Sequence, residues 1–130
     1  MDKMMGEDKG QLHPSRYSIA RKKARNKYQY KCALCGEYHE HISLHHIFSK
    51  SRYPQYSAEP ENLIALCWKH HRKFHDLYEG TEKVNIYNLV DYMVDYANEH
   101  PDEKQSIHKI IEEMFIELND IIEEIGGEAF

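Results

Sequence analysis

The chain has 130 residues with 17 Lys/Arg, 22 Asp/Glu and 10 His, for a formal net charge of −5. That length suits one domain with an appendage. No apolar run approaches the roughly 20 residues that cross a bilayer, and residues 1–10 lack the apolar stretch of a signal peptide. The cysteine count is three, and Cys32 and Cys35 form a CxxC beside many histidines, which argues against a disulfide framework and for a reducing, cytoplasmic setting.

The net charge hides an asymmetry. Residues 1–31 carry nine Lys/Arg against three Asp/Glu, residues 32–75 five against four, and residues 76–130 three against fifteen. Residues 1–13 are polar without an apolar period and predict a disordered tail. Pro14-Ser15 can start a helix to about Tyr28, with Tyr17, Ala20, Ala24 and Tyr28 on one face and Arg21, Lys22, Lys23 and Arg25 among the residues covering the rest. Cys32 to Gly36 reads as a tight knuckle. The alternation of Ile42 and Leu44 predicts a strand within residues 39–48. Residues 49–61, with Pro54 and Pro60, read as a loop, Leu63–Leu66 as a short apolar strand, and Trp68 to about Tyr78 as a helix. Two more helices follow, at about 85–98 and about 105–125, separated by Pro101 and each with an apolar stripe. Domain boundaries at 14–78 and 79–130 follow from this reading.

Seven of the ten histidines and all three cysteines lie between Cys32 and His75. Cys32 and Cys35 can reach one ion from a single turn, and Cys67 with His70 repeats that spacing at a helix start. Four N/S donors suit a closed, tetrahedral, structural zinc site. His39 or His41 in place of His70, or a redox role for the CxxC, are the alternatives. A segment of about 45 residues buries too little apolar surface to be stable alone and needs such a staple.

A second cluster is imidazole-rich. Neighbouring residues on a strand face opposite ways, so His45 and His46 have different jobs unless a bulge intervenes. His71 and His75 are four apart and share one helix face, with His70 turned about 100° away. Asn62 can hold the preceding loop or add an oxygen ligand.

Taken together, Cys32-x-x-Cys35, Leu44-His45-His46-Ile47 and Glu61-Asn62-Leu63-Ile64-Ala65-Leu66-Cys67-x-x-His70-His71-x-x-x-His75 resemble the HNH endonucleases of the His-Me finger, or ββα-metal, class, in their zinc-binding form. The resemblance covers about residues 30–76. It implies an α+β fold: a small ββα-metal core stapled by a zinc knuckle, with a basic N-terminal helix and acidic C-terminal helices around it. It implies His46 as general base, His45 as the metal ligand before it (a place often held by Asp), Asn62 as the middle Asn, His71 as the closing His, and His75 as a further ligand. His70 stands where zinc-binding members often carry a fourth Cys. The cofactors implied are a structural zinc and one catalytic divalent ion such as Mg, Mn or Ni; the imidazole-rich set favours the later transition metals in vitro. The activity implied is DNA phosphodiester hydrolysis to 5′-phosphate and 3′-hydroxyl ends, in a restriction, phage or mobile-element setting, falling below about pH 6 as a His base protonates.

Arg21, Lys22, Lys23, Arg25, Lys50, Arg52, Arg72 and Lys73 are candidate phosphate contacts or simply solvated charges. DNA is the expected partner, with RNA an alternative. The stripes of the C-terminal helices must be covered by the nuclease core, by a second copy through residues 105–125, or by a partner protein. Two competing functions remain at this level. One is a zinc-stabilised nucleic-acid-binding module without catalysis; the other is a toxin nuclease held by an inhibitor.

Overall fold

The computed structural model describes residues 15–78 and 86–126; the tail expected over residues 1–13 lies outside them. The described residues form an α+β structure of five α-helices and one two-stranded antiparallel sheet. Helix α1 is Arg16–Lys27, strands β1 and β2 are Ser43–His46 and Leu63–Leu66, and α2 is Trp68–Leu77. Helices α3, α4 and α5 are Ile86–Glu99, Pro101–Glu117 and Asn119–Ile125. No helix among the described residues is long and apolar enough to cross a membrane.

Helix α1 begins where Ser15 Oγ accepts the backbone N–H of Ser18 at 3.0 Å, an N-cap that satisfies one otherwise orphaned donor. It ends with Arg25 and Lys27 in the last turn, which suit the negative end of the helix dipole. Gln29 and Tyr30 then take left-handed backbone angles, φ 56° and 59°. That conformation costs about 1–2 kcal/mol for a residue with a Cβ. Capping bonds from Gln29 N–H to Asn26 O and from Tyr30 N–H to Arg25 O offset part of it and turn the chain sharply into the cysteine knuckle.

The knuckle is closed by a bridge between Lys31 and Tyr38 and by Cys32 N–H donating to Glu37 O at 3.0 Å. Gly36 sits at φ 73° with open space around its Cβ position, so the turn's backbone angle, not crowding, favours glycine there. Ala33 N–H donates to Ala65 O at 2.8 Å and ties the knuckle to β2.

In the hairpin, Ser43 faces Leu66, Leu44 faces Ala65, His45 faces Ile64 and His46 faces Leu63. Helices α1 and α2 both pack on it. All four residues of β2 are therefore buried, which explains its unbroken apolar run. The loop between the strands contains two 3-10 turns, Pro54–Tyr56 and Pro60–Asn62, each started by proline with its preset φ.

The C-terminal helices cover the remaining core. Ile86, Leu89, Tyr92, Met93 and Ala97 of α3, Ile107 and Met114 of α4, Leu118, and Ile121 and Ile125 of α5 join the same buried cluster as Phe48, Phe74 and the strands. The single helix expected at about 105–125 differs in two ways. It starts at Pro101, because proline suits the first helical position and Asp102 and Glu103 favour the positive end of the dipole. It is also interrupted at Leu118 (φ −93°, ψ 4°), which is fully buried and separates α4 from α5. Glu124 of α5 accepts a hydrogen bond from the Tyr56 hydroxyl on the strand-connecting loop.

Candidate functional site

Cys32, Cys35, Cys67 and His70 come together with their ligand atoms all within 4.8 Å of one another. Cys32 and Cys35 come from the knuckle; Cys67 is the N-cap of α2 and His70 lies in its first turn. His70 Nδ1 lies 3.7 Å from Cys32 Sγ and 3.2 Å from Cys67 Sγ. A tetrahedral zinc with ordinary Zn–S and Zn–N bonds holds such atoms about 3.5 Å apart. The donor chemistry and the spacing both fit, and these three cysteines and one histidine could coordinate a metal such as zinc. Leu34 N–H points at Cys32 Sγ at 3.4 Å, an outer-shell bond suited to a thiolate.

Burial, followed by the nearby Cys32 and Cys67 sulfurs, pushes the Cys35 thiol up to about 12, against an opposing contribution from the Glu37 backbone. Burial and then Lys69 and Lys73 hold His70 below the ordinary imidazole range, keeping it neutral as a ligand must be. Of the alternative fourth ligands, His41 is exposed and lies 3.3 Å from Glu40. His39 approaches Cys67 together with Glu37, but its Nε2 is 3.1 Å from the Glu37 carboxylate.

On the other side of α2, His45, His71 and His75 form a second set within the same 4.8 Å limit. Their ring centroids lie 5.4, 5.4 and 4.8 Å apart, so the three rings surround one point. His71 Nε2 and His75 Nε2 are 3.1 Å apart. Two imidazole nitrogens on one ion stand about 3.0–3.4 Å apart for ordinary metal–nitrogen bonds. His45 is buried and its Nε2 has no hydrogen-bond partner among the described residues. A buried polar atom without a partner calls for an explanation, and a cation held by the three rings supplies one.

His45 and His71 suit the neutral form. Burial first, then His71, His75 and His46, hold His45 well below the ordinary value. Burial and His75 bring His71 down to about 4.

His46 lies outside that set, as alternation on β1 leads one to expect. Its ring is half-buried under Tyr17 of α1, with centroids 5.9 Å apart and planes 7° apart. Its Nε2 lies 3.1 Å from the Ser57 carbonyl. A carbonyl only accepts, so Nε2 carries the proton and the neutral ring keeps its lone pair on Nδ1. Burial lowers the His46 pKa, the Ser57 carbonyl opposes this, and Lys50 and Arg21 lower it further. His45, His46, His71 and His75 line one cleft of about 310 Å³ with Leu44, Ser49, Lys50 and Ser51.

Asn62 does not join either cluster. It is fully buried, its Oδ1 accepts the Phe48 N–H at 2.7 Å, and its Nδ2 donates to the Phe48 and Tyr56 carbonyls at 3.1 Å each. Of the two roles open in the sequence, its geometry is that of the loop holder. It pins the end of β1 to the turn before β2.

The basic candidates separate by position. Arg21 and Lys50 gather at the His46 side of the cleft, the guanidinium 5.3 Å and the ammonium 4.9 Å from the Tyr17 ring centre. Lys22 and Lys23 are exposed on α1. Arg25 turns inward instead, its Nε donating to the Ile42 carbonyl at 3.1 Å. Arg52 lies over the Tyr53 ring at 5.5 Å, and Arg72 over the Trp68 ring at 5.5 Å. Lys73 lies on the far side of α2, in a cavity shared with His70, Asp95 and Glu99. Arg25 and Lys73 are thus placed for structure and for the acidic α3 face rather than for the histidine cleft.

Tyr17 and Ser57 touch the candidate base, and the sequence reading gave neither a site role. Tyr17 was visible only as one more residue on a packing face, and a backbone carbonyl has no residue signature at all. Comparisons with protein-family models, curated proteins and solved structures return no match.

Proposed function

We propose that this chain is a metal-dependent endonuclease with a ββα-metal core, in which β1, β2 and α2 carry the reaction and the cysteine knuckle holds a structural zinc. The observation that carries the reading is the convergence of His45, His71 and His75 on one point, with a partnerless buried nitrogen on His45 and with His46 in the same cleft. A binding module has no use for a neutral imidazole whose tautomer is held by a backbone carbonyl.

The three imidazoles would hold one divalent cation. When bound, such an ion stabilises negative charge on the phosphate and on the departing oxygen. The chain's own residues do the rest. His46 Nδ1 takes a proton from a water in the cleft as that water's oxygen forms a bond to phosphorus and the bond from phosphorus to the 3′ oxygen breaks. The Ser57 carbonyl holds the Nε2 proton, so only Nδ1 can act as base. Lys50 and Arg21 supply positive potential at the His46 side for the strand's phosphates. The departing 3′ oxygen takes a proton from solvent water, leaving a 5′-phosphate and a 3′-hydroxyl. DNA is the proposed substrate and RNA the alternative backbone.

The test is nicking of supercoiled plasmid by the zinc-loaded wild type and by His46→Ala, across Mg, Mn, Co and Ni with a chelator control. Metal-dependent nicking by the wild type should fall at least ~100-fold in the folded variant. Tight DNA binding without cleavage under any of the ions would instead make the chain a binding module.

A further inference from the structure

The chain contains one tryptophan, Trp68, and its side chain is left in solvent at 70% exposure. It occupies the first position of α2, directly after the ligand Cys67, and adds nothing to the buried core. Arg72, one turn on, lies over the indole with its guanidinium carbon 5.5 Å from the ring. At 100° per residue, Trp68 lies about 20° around the helix from His75 and about 60° from His71, and about 4.5 Å along the axis from His71. The indole therefore stands at the edge of the helix face that presents the histidine cluster.

We infer that the Trp68–Arg72 pair is a stacking platform for an unpaired nucleobase next to the cleft, so that the strand taken by the site is single-stranded or locally unpaired. The inference rests on the nuclease reading for the placement of the scissile phosphate, but its chemistry is its own. An exposed indole face accepts any base by stacking, and a guanidinium beside it serves both the ring and a neighbouring phosphate. Bases inside a duplex keep their faces covered by their neighbours and offer no such surface. A protein partner fits less well. Protein-interface anchors cluster in well-packed pockets that exclude water, whereas Trp68 stands 70% exposed among the exposed Lys69, Arg72 and His75.

The single indole makes the test direct. The zinc-loaded full-length protein, without added divalent ion, is titrated with a short oligothymidylate and with a duplex of the same length. Binding is followed both by Trp68 fluorescence and by anisotropy of a labelled strand. The single strand should quench the indole saturably and the duplex should not. Trp68→Ala should weaken single-strand binding about 5- to 100-fold and leave duplex binding within about twofold, while Trp68→Phe should retain most of the affinity. Circular dichroism and zinc content confirm that both variants are folded. Single-strand binding without quenching, equal quenching by duplex, or unchanged affinity in Trp68→Ala would each overturn the platform. So would the absence of single-strand binding. Plasmid nicking separates the two readings: nicking without quenching removes the platform alone, and quenching without nicking removes the nuclease alone.

Discussion

At the scale of single residues, the candidate base is shaped by four residues. Tyr17 covers the His46 ring, Ser57 holds one nitrogen, and burial, then Lys50 and Arg21, press its pKa down. The base form is the neutral one, and a lowered pKa keeps it neutral to lower pH. The acid limb of kcat/KM should thus fall below the ordinary imidazole value of about 6.5, and activity should be lost as pH falls through that lowered value. Tyr17→Ala removes the cover, so its acid limb should move up toward about 6.5, with Tyr17→Phe keeping the wild-type profile. A pH–rate series on the three proteins checks this, and identical limbs would remove Tyr17 from the site. Asn62 makes a different kind of contribution. Asn62→Ala strands one N–H and two carbonyls in the interior, at about 1–3 kcal/mol for a group left without a partner. Urea unfolding should report a loss of about 3 kcal/mol, with nicking reduced because the loop behind His46 and Ser57 loosens.

At the scale of elements, α2 does two jobs by turning 100° per residue. His70 and Cys67 serve the knuckle, while His71 and His75 serve the cleft. Strand β2, buried on both faces, fixes β1 in register, and that register decides which way His45 and His46 point. The knuckle is bonded to β2 through Ala33 and meets the start of α2 at Cys67 and His70, so a metal held there would tie the knuckle to both elements. Removing zinc, or making Cys35→Ser, should abolish cooperative unfolding of the 32–75 region, since structural zinc in small domains is worth about 10–16 kcal/mol of apparent binding energy. Zinc stoichiometry of one per chain at that site, lost with the far-UV and near-UV signal on chelation, is the expected result. Helices α4 and α5 meet at Leu118, which is wholly buried. Leu118→Ala should cost about 2–5 kcal/mol in a denaturant titration.

At the scale of the molecule, the acidic C-terminal helices are anchored to the Cys- and His-rich half at several points. The Tyr92 hydroxyl donates to the His70 carbonyl at 3.2 Å, the Tyr96 ring meets the His70 ring edge-on at 5.0 Å, and Lys27 pairs with Glu117. Apolar stripes that could have served a second copy are largely spent on this contact, although Ile116 remains 75% exposed. The buried imidazoles also set the stability of the whole. His45 is neutral when folded and far harder to protonate than in the unfolded chain, where its value is about 6.5. Above that value it does not penalise folding. As pH falls below it, the unfolded state takes up a proton that the folded state refuses, and stability drops by about 1.4 kcal/mol per pH unit until the folded value is reached. Unfolding midpoints of protein without the second ion, measured either side of that pH, should show the fall. His45→Leu, which removes one titrating group while keeping an apolar side chain, should make the fall shallower and leave the share of His46, His70 and His71.

Much of the fold was legible in the chain because its cues are local. Two CxxC/H-type pairs, a four-residue apolar run, and apolar residues at helical steps each state their own conformation, and α1, β2, α2 and α3 fall where those cues put them, within a residue or two. The meeting of Cys32 and Cys35 with Cys67 and His70 was legible for the same reason, since donor type and spacing are sequence properties. The break at Leu118 was not, because leucine is no helix breaker and the residue is set by its burial in the core. Nor were the Tyr17 cover, the Ser57 carbonyl, the inward turn of Arg25 or the choice of Asn62 for the loop. Each depends on which atoms long-range packing brings within about 3–6 Å, distances that hydrogen bonds and ring contacts require and that residue order alone does not state. The sequence determined which donors exist and on which faces they stand; tertiary packing decided which became partners and left the indole of Trp68 outside the core.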